Sequence, residues 1–187
     1  EQGLITPPKL AVGDGALGFW KALDEVYPEA KHQRCWVHKT MNILDKMPKG
    51  SQAKAKSMVH DIYLAETEEQ ARRAYELFIR TYEAKYPKAV GCLTKDKDVL
   101  FSFYNFPADH WSHIRTTNPI ESTFATVRLR TKRTKGSGSR TAALAMVWKL
   151  CKEAERNWRR LRGYKKIPLI FENKIFKDGV LLERKLA

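Results

Sequence analysis

A short apolar run, Leu10-Ala11-Val12, breaks off at Gly13-Asp14-Gly15. Such a run predicts a strand over residues 9–12 that stops in a loop carrying a single acid. Behind it, Leu17, Trp20, Leu23 and Tyr27 recur at helical spacing until Pro28 ends the pattern. Residues 32–38 contain Cys35-Trp36-Val37 and predict a second short strand. A helix is expected from about residue 39 to 47, closed by Pro48-Lys49-Gly50. Strand, helix, strand opens an α/β unit, so residues 1–42 are expected to belong to a layered α/β core.

Residues 43–112 change character. The stretches 51–64 and 67–86 read as helices. Thr67 is a favoured N-cap with Gln70 three positions on, the pattern of a capping box. Ala71, Ala74, Tyr75, Phe78, Ile79 and Tyr82 then form one apolar stripe. Pro87 is placed to start another helix, and residues 99–106 are rich in aromatics. The block is expected to be an all-helical insertion into the α/β piece, so the fold class is α/β but mostly helical.

Asn118-Pro119-Ile120-Glu121 predicts a helix start, with Asn as N-cap, Pro at the first helical position and Glu at the third. That helix should run to about Lys132. Thr134-Lys135-Gly136-Ser137-Gly138-Ser139 reads as a flexible basic loop. A long helix is expected from about residue 141 to 162. Its apolar stripe is Leu144, Val147, Trp148, Cys151, Ala154, Trp158 and Leu161, and its other face carries Lys149, Lys152, Arg156, Arg159 and Arg160. Residues 113–165 thus form a third segment. Residues 166–187 are a tail in which Lys177-Asp178-Gly179 suits a hairpin turn.

Charge follows this division. Residues 114–187 hold nineteen Lys and Arg against six Asp and Glu, whereas residues 61–113 hold seven against nine. Almost all of the net +14 therefore sits in the last 74 residues. A solubility device would be spread out, whereas a polyanion-binding surface is concentrated like this. A solvated basic helix face is the plainer alternative. With 43% apolar residues the chain can build a core, which rules out wholesale disorder. No window of 18 apolar residues predicts a membrane span, and no basic-then-apolar leader opens the sequence. Three widely spaced cysteines argue against a disulfide framework and fit a reducing cytoplasm.

Asp14, between two glycines at the end of a strand, stands where ligand sites of α/β sheets lie, and its carboxylate suits Mg²⁺. On spacing alone a turn aspartate or helix cap is the commoner reading. Glu121 is similarly a capping-box glutamate or, with Asp14, half of a metal pair. Cys35-Trp36-Val37-His38 and His110-Trp111-Ser112-His113 contain the ligand types of zinc, but neither spacing is half of a zinc finger, and zinc is not expected. Cys35 is expected in the core. Trp111, flanked by histidines, is a candidate for stacking on a base. Arg115, Arg128, Arg130, Lys132, Arg133 and Lys135 surround the Glu121 helix and are placed to receive phosphates if Glu121 binds a metal.

Taken in order, Val12-Gly13-Asp14-Gly15 with the Phe19-Trp20 helix, Cys35-Trp36-Val37-His38, Ile114-Arg115-Thr116-Thr117-Asn118-Pro119-Ile120-Glu121 and Arg128-Leu129-Arg130-Thr131 resemble the Mutator-type transposases of bacterial insertion sequences. The likeness runs over about residues 4–165. It implies a partial RNase H-like core with a large helical insertion and an Asp-Asp-Glu triad holding two divalent metals, Mg²⁺ or Mn²⁺. Asp14 matches the second Asp, Glu121 the Glu, and Cys35 and His38 the family's C-x-x-H motif, a structural feature of the site. It also implies cleavage and joining of double-stranded DNA at element ends by a homo-oligomer, in the bacterial cytoplasm at the nucleoid. The family's first Asp lies on a strand earlier than any here, and its N-terminal DNA-binding region has no counterpart. The expectation is therefore a C-terminal part of the catalytic region, inactive by itself. The competing expectation is a non-enzymatic, basic helical nucleic-acid-binding module.

Overall fold

The structure, a computed structural model, describes residues 5–182. It is mostly helical with two small sheets, and it divides into one unit of residues up to 116 together with those from 162, and a second of Thr117–Leu161.

In the first unit, β1 (Leu10–Gly13) runs parallel to β2 (Lys31–Arg34), and α1 (Leu17–Val26) makes the crossover between them. The predicted strand, helix and turn at Gly13-Asp14-Gly15 are all present. The second strand is shorter than expected. It ends at Arg34, and Cys35-Trp36-Val37 turns into α2 (Trp36–Leu44). The reason is not local. Cys35 N–H donates to Gly13 O (2.8 Å), and Trp36 N–H donates to the carbonyl of Arg115 (3.0 Å). A carbonyl from a distant segment thus takes an amide that a helix start leaves without an internal partner.

Next come α3 (Lys49–Leu64), α4 (Glu68–Tyr82) and α5 (Pro87–Thr94). Thr67 caps α4 as its sequence predicts, its hydroxyl accepting Gln70 N–H at 3.2 Å. The apolar stripe of α4 faces inward, with Ala71, Tyr75, Phe78 and Tyr82 buried. The aromatic stretch closes this core: Phe101, Phe103 and Tyr104 are buried beside Trp36 and Trp111. Gln33 stitches β2 to the same stretch. Its amide donates to Leu100 O (3.0 Å) and its side-chain oxygen accepts Phe103 N–H (2.9 Å). The sheet and the helical block therefore share buried polar contacts as well as apolar ones.

Short α6 (Trp111–Ile114) completes the block. Beyond residue 161 the chain re-enters this unit through α9 (Ile167–Phe171) and the hairpin of β3 (Phe176–Lys177) and β4 (Val180–Leu181). Asp178 and Gly179 both have positive φ, the twist that suits a two-residue hairpin loop. The loop docks on the helices: Asp178 Oδ1 accepts Glu68 N–H at 2.7 Å, and Gly179 N–H donates to Tyr104 O at 3.1 Å.

The second unit is a helical hairpin of α7 (Asn118–Thr134) and α8 (Arg140–Glu155). Thr117, not Asn118, occupies the cap position of α7, and Pro119 follows in the first turn. Ser139 caps α8, accepting Ala142 N–H at 3.1 Å. α8 ends seven residues earlier than its periodicity predicts, because Asn157 and Trp158 bond back three residues instead of four and unwind the helix. No residue of α8 is buried, so the predicted apolar stripe is not a core stripe: Leu144, Trp148 and Trp158 are each more than half exposed.

Candidate active site

The Asp14 turn is built from its neighbours inward. A side chain at position 13 would run into Trp20 of α1, 2.7 Å from where its Cβ would sit. A side chain at position 15 would meet the guanidinium of Arg34 at 2.6 Å, and Gly15 also has φ +96°. The two glycines therefore let an indole and a guanidinium close on the backbone from either end. Asp14 is left as the acid of the turn, exposed at the carboxyl end of a parallel strand. One carboxylate oxygen accepts Ala16 N–H (3.0 Å), and no salt bridge to Asp14 forms among the described residues. An anionic, oxygen-only donor of this kind fits a hard divalent cation.

Below the turn lies a buried ionic cluster that sequence reading missed. Arg34 Nε and Lys39 Nζ both reach Asp96 Oδ2, at 3.0 and 2.5 Å. Lys39, 1% exposed, also donates to Cys92 O (2.7 Å), and Arg34 Nη1 donates to Gly13 O (3.3 Å). Burial opposes ionisation of Asp96, but the hydrogen bonds and charges of Lys39 and Arg34 outweigh it and hold the carboxyl below its ordinary value. A cavity of about 480 Å³ opens here, with Asp14, Arg34, Lys46, Lys95 and Asp96 among its walls. The missed signal is faint: three charges at positions 34, 39 and 96 have no shared spacing.

Cys35 is fully buried, and His38 Nδ1 lies 3.3 Å from its sulfur across the first turn of α2. The other C/H-type motif is used differently. His110, 3% exposed, places Nε2 2.9 Å from Gly163 O, and His113 Nε2 accepts Arg162 N–H at 3.3 Å. Both histidines hold the returning segment. Trp111 is in the core, not on a surface where a base could stack. Its indole N–H donates to Phe106 O (2.9 Å), and Phe103 and Tyr104 meet it edge-on. Arg115 is also drawn inward: it donates to Tyr63 O (2.5 Å) and Trp111 O (3.2 Å) and lies over the rings of Tyr63 and Phe103. Its guanidinium serves backbone carbonyls, not phosphates.

In the hairpin, Glu121 stands in the first turn of α7 with the Thr117 hydroxyl donating to its carboxylate. Arg128, Arg130, Lys132 and Arg133 project from the same helix, and Lys135, in a left-handed conformation, ends it; all five are exposed. Over Thr117–Leu161 the sequence has eleven Lys and Arg against three Asp and Glu. Asp14 lies in the first unit and Glu121 in the second.

An acid at the end of a parallel strand and a cationic helical hairpin are thus the two features of note in a mostly helical α/β protein. Residues 2–161 match the family described as Transposase, Mutator family, and the chain belongs to that family. It is 52% identical over 179 residues to the transposase for insertion sequence element IST2 of Acidithiobacillus ferrooxidans, covering 96% of this chain and 60% of that protein. It is 53% identical over 180 residues to the transposase for insertion sequence element IS6120 of Mycolicibacterium smegmatis, covering 96% of this chain and 56% of that protein. A more distant relative, the transposase for insertion sequence element IS905 of Lactococcus lactis, is 36% identical over 129 residues, or 69% of this chain and 33% of that protein. The chain thus spans little more than half the length of its nearer relatives here.

Proposed function

We propose that the chain forms part of the catalytic region of an insertion-sequence transposase, which cleaves and joins double-stranded DNA at element ends. The observation that carries this reading is the Asp14 turn, a lone acid at the carboxyl end of a parallel strand, closed by Trp20 and Arg34 in a chain of this family. The sheet and its crossover are then part of an RNase H-like core, and the helical block is its insertion.

Asp14 and Glu121 are the carboxylates that would hold Mg²⁺ or Mn²⁺. Bound there, the ion supplies charge neutralisation and makes water or a 3′-hydroxyl a better nucleophile. The chain's own side chains do the positioning. Thr117 orients Glu121 through its hydroxyl. Arg128, Arg130, Lys132, Arg133 and Lys135 take the DNA backbone in a largely sequence-neutral, salt-sensitive contact. Such holding in place and charge complementarity lower the barrier to phosphodiester exchange with little covalent chemistry by the protein. Cys35 and His38 shape the α2 turn beneath the site. Paired element ends call for a homo-oligomer.

Glu121→Gln in a complete transposase carrying this span tests the reading. Expected is a loss of cleavage and strand transfer of at least about a hundredfold, with DNA binding in a mobility-shift assay unchanged. Transposition at the parental rate would overturn it and leave a non-enzymatic binding module.

A further inference from the structure

We propose that Arg34 is the positioning residue of the Asp14 turn, and that Asp96, two residues past the end of α5, sets Arg34 in place. The inference rests on the reading of Asp14 as a site carboxylate and adds to it a physical role for the helical block.

Arg34 is 5% exposed, and its fork faces two ways. Nη1 donates to the carbonyl of Gly13, the residue before Asp14, at 3.3 Å. Its Cζ, Nε and Nη2 lie 2.6–2.7 Å from where a side chain at Gly15, the residue after, would begin. The guanidinium therefore touches the backbone on both sides of the acid. Its remaining direction is fixed from the helical block: Nε donates to Asp96 Oδ2 at 3.0 Å. Asp96 is in turn held by Lys39, whose ammonium also donates to Cys92 O.

Two buried cations on one carboxylate are a costly way to join a helix to a sheet, since apolar side chains of the same volume do it as well or better. The cluster does what apolar packing cannot. A planar fork bonds an acceptor in the turn and an acceptor in the helical block at once, where a lysine ammonium is a point charge on a flexible stem. The pair also leaves one positive charge in excess under an acid that must stay anionic to serve as a ligand. Lys39 and Arg34 thus divide the work: Lys39 ties α2 to α5, and Arg34 carries the position of α5 to the turn.

The test uses three variants, R34K, D96N and K39M, and two measurements. In the 187-residue chain, backbone amide order parameters of Gly15 and Ala16 are read by NMR beside those of α4. Expected is a fall from about 0.85 to below about 0.6 at the turn in R34K and D96N with α4 unchanged. K39M lowers the melting temperature and leaves the turn ordered. In the complete transposase, R34K and D96N raise the Mg²⁺ concentration for half-maximal cleavage at least tenfold, and saturating Mg²⁺ restores the rate to within about threefold. R34K keeps the charge and guards against a misfolded D96N. An ordered turn and unchanged Mg²⁺ dependence in R34K, with D14A inactive, would overturn the positioning role and leave the Asp14 reading standing. Full activity of D14A would instead overturn the Asp14 reading itself.

Discussion

The helical block and the helical hairpin use the same spacing of apolar residues to different ends. In α4 the stripe Ala71, Tyr75, Phe78 and Tyr82 is buried, and in α8 the stripe Leu144, Val147, Trp148 and Cys151 is not. Over Thr117–Leu161 only Val127 is buried among the described residues. The difference lies in what each helix meets. α4 has α3 and α5 beside it and the aromatic stretch across its end, so its stripe is sealed on several sides. Within its unit α8 meets α7, which itself buries Val127 alone and leaves Ile120, Phe124 and Leu129 exposed beside its cations, so the stripe of α8 is not sealed. Periodicity announces an apolar face; burial needs partners from elsewhere in the chain.

The largest expected effect separates the two regions by stability. Phe78→Ala is expected to cost about 3–5 kcal/mol by chemical denaturation, the range for truncating a buried aromatic. Leu144→Ala is expected to stay within about 0.5 kcal/mol, as for exposed positions. Equal losses would break the comparison and mean that the α8 face is covered in solution. A second effect separates them by charge. Replacing Arg128, Arg130, Lys132 and Arg133 together by Ala should reduce the slope of log affinity for duplex DNA against log salt by about 3 to 4. Replacing Arg72, Arg73, Lys85 and Lys88 of the helical block should leave that slope as it is, measured by fluorescence anisotropy from low to moderate salt.

The smallest effect concerns the seam at His113. Burial, then the charges of Arg162 and His110, hold its imidazole below the ordinary histidine value. The folded protein thus favours the neutral ring, whose Nε2 accepts Arg162 N–H. Because the folded value lies below the unfolded one, this contribution is complete above pH of about 6.5 and fades as pH falls through the lowered value. The protection factor of the Arg162 amide, its exchange rate relative to the intrinsic rate at each pH, should fall between pH 7 and pH 5, and His113→Gln should remove that pH dependence.

Much of the first unit was legible in its sequence. The strand before Gly13-Asp14-Gly15, the α1 repeat, the Thr67 cap, the α4 stripe and the Asp178-Gly179 turn are all signals carried within a few residues, where local sterics and hydrogen bonds decide the backbone. The errors share one cause. Trp36 starts a helix because Arg115 offers a carbonyl from a distant segment. Trp111 is buried because Phe103, Tyr104 and Phe106 converge on it, and Arg115 turns inward to the Tyr63 carbonyl. His110 and His113 meet a segment some fifty positions on. None of these partners stands close enough in sequence to leave a pattern.

By itself, then, the sequence determined the mostly helical α/β class, the acid turn at the end of β1 and the concentration of positive charge after residue 114. Those follow from local conformational preference and from composition, which need no third dimension. Tertiary structure alone decided why both glycines flank Asp14, where Arg34, Lys39 and Asp96 come together, and which apolar stripe becomes core. These depend on groups that only the folded chain brings within contact distance, where desolvation and hydrogen bonding act over a few ångströms.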